Sequence, residues 1–232
     1  MKSFRNFILS LLFLACSNTQ NNDTLICILV DTTDPFSFQL NKIDVVSLSG
    51  LDENPWQSVT IEFSTLSNID INPIHSVTIP SENSWVGNKQ MRIHKLEKFK
   101  NEVQIALQNL TPDTSLDHSI IYRIMATKLN DLAKYKTANR NLIILSDLME
   151  NSQISFYDKT TFALLTSNPK ELETRLQKEC KLDNLGGLQV WFLFKPNGYE
   201  QNNTYMTVAN FYKHLFESKG ALVHISNSIQ SQ

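Results

Sequence analysis

Oxygen-bearing side chains follow two apolar stretches of the sequence, at the point where each stretch ends. Leu25–Val30 is followed by Asp-Thr-Thr-Asp at Asp31–Asp34, and Leu142–Leu145 is followed by Ser-Asp, ending at Asp147. Hard cations such as Mg²⁺ take oxygen ligands, keep several waters and are commonly held by one or two carboxylates. These residue types therefore suit a site for a divalent cation.

The position of these side chains depends on the strands that precede them. Both stretches are apolar throughout instead of alternating, which predicts strands that are buried on both faces in a mostly parallel sheet. In an open parallel sheet, ligands bind outside the carboxyl ends of the strands, near the point where the strand order reverses. Asp31, Thr33 and Asp147 are expected to lie at that edge.

Three short segments, ILVDTTDPF, TPDTSLDHSII and LIILSDLMEN, occur in this order along the chain. In their order and structural setting they resemble the three metal-site segments of von Willebrand factor A domains. The resemblance implies a Mg²⁺ or Mn²⁺ site with Asp31 and Thr33 from the first segment, Thr114 from the second and Asp147 from the third. Pro35 stands where the family pattern has its last serine, so one oxygen of that pattern is missing.

The resemblance also implies a function, because in this family an acidic group from a partner fills an open position on the metal. We therefore predict a protein partner that offers an acidic group, and neither an enzyme nor a binder of nucleic acid or of a small-molecule substrate. The alternative is a metal-free scaffold subunit of an envelope assembly, in which the four residues only end strands and begin helices. Asp34, with Pro35 after it, fits the cap of a following helix.

The N-terminus has the order of an export signal. Two basic residues precede the apolar run Phe7–Ala15, which is too short to span a membrane and stops at Cys16. The segment LFLAC resembles the lipobox of bacterial lipoproteins, in which the cysteine becomes the lipidated first residue. We predict a signal peptide at residues 1–15, a tether at 16–23, and a lipid anchor at Cys16 that holds the protein to a membrane of the bacterial cell envelope.

The remaining chain alternates strand and helix signals without a repeat, which predicts one von Willebrand factor A-like domain over residues 24–232. The fold class is predicted as a three-layer, doubly wound α/β domain, with a mostly parallel sheet, helices on both faces and one antiparallel edge strand. Further strands are predicted at Val59–Phe63, His75–Ile79 (the edge), Leu188–Phe194 and Ala221–Ile225, and helices at 96–110, 116–132, 172–180 and 205–216. Leu25–Val30, Leu142–Leu145 and Leu188–Phe194 are expected to be parallel neighbours.

Composition and spacing argue against several other classes of protein. The 232 residues are 41% hydrophobic and 19% charged with a net charge of −2, as in ordinary globular proteins. A hydrolase with a strand-end aspartate nucleophile would need a second aspartate at Thr33, and the five histidines lack the paired spacing of a zinc site. The basic run Lys89–Lys100 fits a solvated helix face or, near a lipid anchor, a surface for anionic head groups. Cys27 and Cys180 lie in apolar patterns that favour free thiols over a disulfide.

Overall fold

The computed structural model describes residues 23–33, 45–66, 74–109, 119–137 and 139–226. Within them the chain forms six β-strands and five α-helices, besides a short 3₁₀ turn at Ser47–Ser49. No helix in these ranges is both long and apolar enough to cross a membrane. The elements are β1 (Thr24–Val30), β2 (Val59–Thr65), β3 (His75–Ile79), α1 (Lys89–Gln108), α2 (Ile121–Lys134), β4 (Asn139–Leu145), α3 (Lys159–Ser167), α4 (Pro169–Glu179), β5 (Leu188–Leu193), α5 (Tyr199–Glu217) and β6 (Leu222–Ser226).

The six strands form one sheet in the order β3-β2-β1-β4-β5-β6. Every neighbouring pair is parallel except β2 and β3, which are antiparallel. The mostly parallel sheet with one antiparallel edge strand is therefore confirmed, and so is the prediction that β1, β4 and β5 are parallel neighbours. The strand order reverses between β1 and β4, which makes their carboxyl ends the expected place for a site.

Strand β1 shows why the sheet is covered on both sides. Its side chains alternate between two separate cores, with Leu25, Cys27 and Leu29 on one face and the three residues Ile26, Ile28 and Val30 on the other. The first core is completed by α2, α3, α4 and α5, and the second by α1 and residues 45–51. A strand with both faces buried cannot alternate apolar and polar residues, which explains its continuous apolar run.

Local hydrogen bonds place the helix ends where periodicity alone did not. Helix α1 begins at Lys89, ahead of the predicted start, because the side chain of Asn88 caps it by accepting a hydrogen bond from the Met91 amide at 3.1 Å. Helix α3 was not predicted and is capped in the same way by Asp158. Asn168 precedes α4 as predicted, but its side chain donates to Glu171 at 2.9 Å and does not cap the backbone.

Several predictions fall on parts of the chain outside the described residues. These parts include the signal peptide with Cys16, most of the tether, the first-segment residues Asp34 and Pro35, and Thr114. Both described cysteines are free, as predicted: Cys27 is buried and Cys180 is half-buried.

Candidate functional site

Asp31 follows β1 directly and its carboxylate lies in the crevice between β1 and β4. The side chain is 1% exposed, and its backbone amide continues the strand pairing by donating to the Leu145 carbonyl at 2.9 Å. One carboxylate oxygen, Oδ1, accepts hydrogen bonds from the Thr33 amide at 3.0 Å and the Thr33 hydroxyl at 2.6 Å. The other, Oδ2, accepts from the Ser146 hydroxyl at 2.8 Å. Asp31 thus joins the ends of two neighbouring strands.

Thr33 connects this carboxylate to the segment that enters α2. Its hydroxyl oxygen lies 2.7 Å from the hydroxyl oxygen of Ser119, two residues before the helix. The Ser119 carbonyl accepts a hydrogen bond from the Asn151 amide at 2.9 Å, which fixes this segment against the chain that leaves β4. Sequence reasoning missed Ser119, although it lies in the quoted second segment, a hydroxyl residue just before an apolar helix start.

The chain turns sharply after β4, so that Ser146 is buried and Asp147 is half-buried. The Ser146 oxygen also accepts a hydrogen bond from the Leu148 amide at 2.8 Å, and Leu148 adopts a left-handed backbone with φ of 64°. Asp147 accepts from the Met149 amide at 2.9 Å and is half-buried. Burial first, and then the Asp147 carboxylate, raise the pKa of Tyr205 on α5. Asp147 therefore lies within electrostatic reach of α5.

The structure describes three of the four predicted site residues. It joins Asp31 and Thr33 directly, and it places Asp147 one residue beyond Ser146, the β4 partner of Asp31. Thr114 is not among the described residues. The hydroxyl that contacts Thr33 from the segment before α2 is that of Ser119. Ser119 and Ser146 are thus additions to the predicted set.

A second buried carboxylate, that of Glu150, lies at the start of α2. Its Oε2 accepts hydrogen bonds from the backbone amides of Ile121 at 3.0 Å and Tyr122 at 2.6 Å, so it caps the helix from a distant part of the chain. The side chain is 1% exposed, and burial raises its pKa to about 7, against the lowering effect of these hydrogen bonds. The acid in the quoted segment LMEN was the only signal for this role.

The oxygens around Asp31 fit the chemistry of Mg²⁺ or Mn²⁺. Mg²⁺ binds oxygens at about 2.0–2.1 Å in octahedral geometry, which sets neighbouring ligand oxygens about 2.9 Å apart. The hydroxyl oxygens of Thr33 and Ser119 are already 2.7 Å apart. Thr33, Ser119, Asp31 and Asp147 are the residues that would hold such a cation.

Other metal chemistry has no cluster to support it in the described ranges. No group of three or more His, Cys, Asp or Glu residues within them lies close enough together to hold a metal ion. His224, for example, stacks on Trp191 with ring centroids 4.0 Å apart. The candidate site around Asp31 would instead combine carboxylate and hydroxyl oxygens.

No family model and no curated protein matches the chain. A solved structure that matches is the crystal structure of manganese-loaded Plasmodium vivax TRAP protein, at 10% identity over 83% of this chain and 74% of that one, with a TM-score of 0.30. The strand order of this chain by itself defines a doubly wound α/β domain with a mostly parallel sheet. Support for the candidate site comes from the hydrogen bonds around Asp31.

Proposed function

We propose that this chain is an exported, lipid-anchored von Willebrand factor A-like protein that binds a partner protein at the cell envelope through Mg²⁺ or Mn²⁺ held beside Asp31. It is not an enzyme in this proposal. The observation that carries it concerns Asp31, a carboxylate that is 1% exposed and whose hydrogen bonds from the described residues all come from neutral groups.

The argument rests on the cost of burying charge. An ionised carboxylate away from water is unfavourable unless it is paired with a cation or binds a metal. Among the residues that the structure describes, no Lys, Arg or His side chain pairs with Asp31. A divalent cation at the carboxyl edge of the sheet would supply the missing positive charge.

The half-buried residues around Asp31 support a role in adhesion. Thr33 and Asp147 are partly exposed, so the candidate site reaches the surface from a buried carboxylate. A cation held by few protein oxygens retains water that a carboxylate from another protein can replace. The lipid anchor predicted at Cys16 would hold the domain at the envelope, where such a partner is found.

The metal-free scaffold is the second candidate function, and a specific observation favours it. Both carboxylate oxygens of Asp31 already accept hydrogen bonds, and the Ser146 hydroxyl that donates one of them also accepts from Leu148. The crevice is thus satisfied by its own hydroxyls. In this case the residues would stabilise the junction of β1 and β4 and do nothing else.

Thermal unfolding in MgCl₂ and in MnCl₂, up to millimolar concentrations, separates the two candidates. A cation that binds only the folded state raises the melting temperature by mass action. We expect this rise for the wild-type protein and for the control Asp52→Asn, an exposed surface aspartate, and no rise for Asp31→Asn. If the melting temperature of the wild-type protein is the same with and without either cation, the metal site is ruled out and the metal-free scaffold is the remaining candidate function.

Partner binding needs its own measurement, made on protein purified from its native membrane. We expect a defined protein to co-purify with the wild type, to be released by EDTA and to return with Mg²⁺ or Mn²⁺. The same protein should be absent with Thr33→Ala, which removes the central hydroxyl of the site. A co-purifying protein that withstands EDTA and Thr33→Ala would be bound by another surface.

A further inference from the structure

The turn between β3 and α1, residues 80–88, exposes two adjacent apolar side chains. Trp85 is 94% exposed and Val86 is 85% exposed. A tryptophan normally buries most of its ring, and its amphipathic indole is favoured where an apolar phase meets water. Two such residues side by side at the tip of a turn therefore indicate a contact surface.

This turn is held in one conformation by its own hydrogen bonds. The Asn83 side chain accepts from the Trp85 amide at 2.8 Å, and the Asn83 carbonyl accepts from the Gly87 amide at 2.8 Å. The ring of Trp56 lies directly under Gly87, where an added Cβ would be 2.5 Å from a ring carbon. The backbone is fixed while the two apolar side chains point outward.

Arg92 fixes the base of the same turn. Its side chain is 1% exposed and donates to the carbonyls of Pro55 at 2.5 Å, Gln57 at 2.8 Å and Pro80 at 2.8 Å. It also pairs with Glu82 at 3.2 Å. A buried guanidinium with a hydrogen-bond partner at each of its three nitrogens makes the turn a preformed projection of the domain.

The turn lies at the end of the sheet where β1 begins, which is also where the chain enters the domain. Thr24 at the start of β1 is in register with Val59, which is in register with Ile79 at the end of β3. Two strand spacings, about 10 Å, therefore separate the chain entry from the start of the turn. Asp31 lies at the opposite end of the sheet, because it directly follows the last residue of β1.

The tether limits how far the end of the sheet with the turn can be from a membrane. Six residues lie between Cys16 and Asp23, so seven Cα–Cα steps join them and span at most about 25 Å when fully extended. A lipid on Cys16 would therefore keep the end with Trp85 and Val86 close to the bilayer surface. The exposed side chains lie where the anchor would bring lipid.

Charge around the turn matches an anionic surface. Residues 80–100 contain four exposed lysines, Lys89, Lys95, Lys98 and Lys100, and two acidic residues, of which Glu82 pairs with the buried Arg92. Lys89 begins α1 directly after the turn and is exposed. Basic residues beside an anchored segment attract anionic head groups, and tryptophan is enriched at the membrane interface.

We propose that the tip formed by Trp85 and Val86 inserts into the head-group region of an anionic phospholipid bilayer. The inference rests on the proposed lipid anchor and goes beyond it. The tip and the anchor together form two contacts at one edge of the domain, so the Asp31 site faces away from the membrane toward a partner.

Tryptophan fluorescence of the full chain in vesicles tests this proposal. The other two tryptophans are replaced by Trp56→Phe and Trp191→Phe, and the protein is reconstituted in vesicles that contain phosphatidylglycerol. We expect the emission of Trp85 to shift to the blue and to be quenched by lipids brominated in the upper acyl chain. Where the two replacements prevent folding, the difference spectrum between wild type and Trp85→Phe gives the same readout.

A matched control uses Tyr199, which is exposed at the opposite end of the sheet, at the start of α5. In a chain that also carries Trp56→Phe, Trp85→Phe and Trp191→Phe, Tyr199→Trp should emit as in water and be quenched by iodide but not by brominated lipid. Brominated lipid should quench Trp85 less in vesicles of phosphatidylcholine alone, because the basic residues then have no anionic head groups to bind.

The outcomes separate this inference from the proposed function. If the chain binds vesicles while Trp85 stays exposed to water, the proposed insertion of the tip is wrong but the lipid anchor stands. Trp85 and Val86 would then be a contact surface for a protein. If the chain does not bind vesicles, both the proposed lipid anchor and the proposed insertion of the tip are wrong. Asp31→Asn should leave the Trp85 emission unchanged, and Trp85→Ser should leave the Mg²⁺ response unchanged, because the two sites lie at opposite ends of the sheet.

Discussion

Asp31 and Ser146 are joined by a hydrogen bond of 2.8 Å that links the ends of two parallel strands 115 residues apart in the sequence. The same Ser146 oxygen accepts from the Leu148 amide, at the left-handed residue where the chain turns away from β4. One hydroxyl therefore holds both the buried carboxylate and the turn that follows it.

This relationship predicts strong coupling between the two side chains. Asp31→Ala and Ser146→Ala should each lower the free energy of unfolding by about 1–3 kcal/mol, because each leaves a buried polar group without its partner. In a double-mutant cycle measured by urea unfolding without metal, the two losses should fall short of additivity by at least about 0.5 kcal/mol. Strictly additive losses would mean that the hydrogen bond contributes nothing to stability.

The second prediction concerns which hydroxyl completes a cation site. Ser119→Ala and Asp147→Ala should each reduce or abolish the rise in melting temperature with Mg²⁺, since Ser119 contacts Thr33 and Asp147 is the predicted ligand from the segment after β4. Thr114→Ala is the informative comparison. If Ser119 supplies the hydroxyl from the segment before α2, the Thr114 variant keeps its Mg²⁺ response; if it loses that response while the Ser119 variant does not, Thr114 is the ligand that the resemblance implied.

The third prediction follows from the raised pKa of Glu150, about 7 against the ordinary 4.5. Between these two values the folded protein keeps a proton that the unfolded chain has released. The contribution of Glu150 to stability is therefore fully present below pH 4.5 and is lost as the pH rises through 7, a change of about 3 kcal/mol.

Glu150→Gln isolates this contribution, because an amide oxygen can still accept from Ile121 and Tyr122 but does not titrate. Urea unfolding at pH 5 and pH 8 should show the wild type losing more stability than the variant over this interval. Parallel pH profiles for the two proteins would show that Glu150 has the same pKa folded and unfolded.

The fourth prediction concerns the buried Arg92. Arg92→Ala should lower the free energy of unfolding by about 3 kcal/mol or more, since it leaves three backbone carbonyls without their hydrogen-bond donor. Lys95→Ala is the control, because Lys95 also contacts Glu82, at 3.0 Å, but is exposed. An exposed pair contributes little to stability, because water screens its charges. Similar effects in the two variants, measured by chemical unfolding, would contradict the anchoring role of Arg92.

The fifth prediction concerns thiol reactivity. Burial raises the pKa of the Cys27 thiol, and the thiol lies 3.3 Å from Glu62, whose carboxylate also accepts from Lys128. A protonated, buried thiol is a poor nucleophile. Titration of the folded protein with Ellman's reagent should therefore modify Cys180 first, and Cys27 only on unfolding. Rapid modification of folded Cys180→Ser at Cys27 would show that this face of β1 opens.

The sheet could be predicted from the sequence because burial on both faces leaves a direct record in residue type. Leu25–Val30 had to be apolar at every position once helices covered both sides, and β2 alternates because Thr60 and Glu62 are only partly covered. Pairing partners followed from the rules for parallel sheets. Helix starts were harder, since a cap such as Asn88 depends on one local hydrogen bond and carries no periodicity.

Long-range polar contacts could not be predicted, because nothing in the spacing of residues reports them. Arg92 lies in a basic run that suggested a solvated helix face, yet its partners lie in two separate loops, up to 37 residues away. Ser119 and Glu150 likewise act on segments that only the folded chain brings near. A basic or hydroxyl residue looks the same in sequence whether it is exposed or fully hydrogen-bonded.

The central position of β1 has a consequence for synthesis of the chain. β1 is made early, but one of its two edges stays open until β4, with Val30 opposite Leu145, has been translated. An apolar strand with an open edge is prone to aggregate, and pairing over so long a separation is slow. The nascent chain therefore cannot complete its central sheet before β4 has been made. A fragment that ends before residue 139 lacks β4, so this edge of β1 stays open in it.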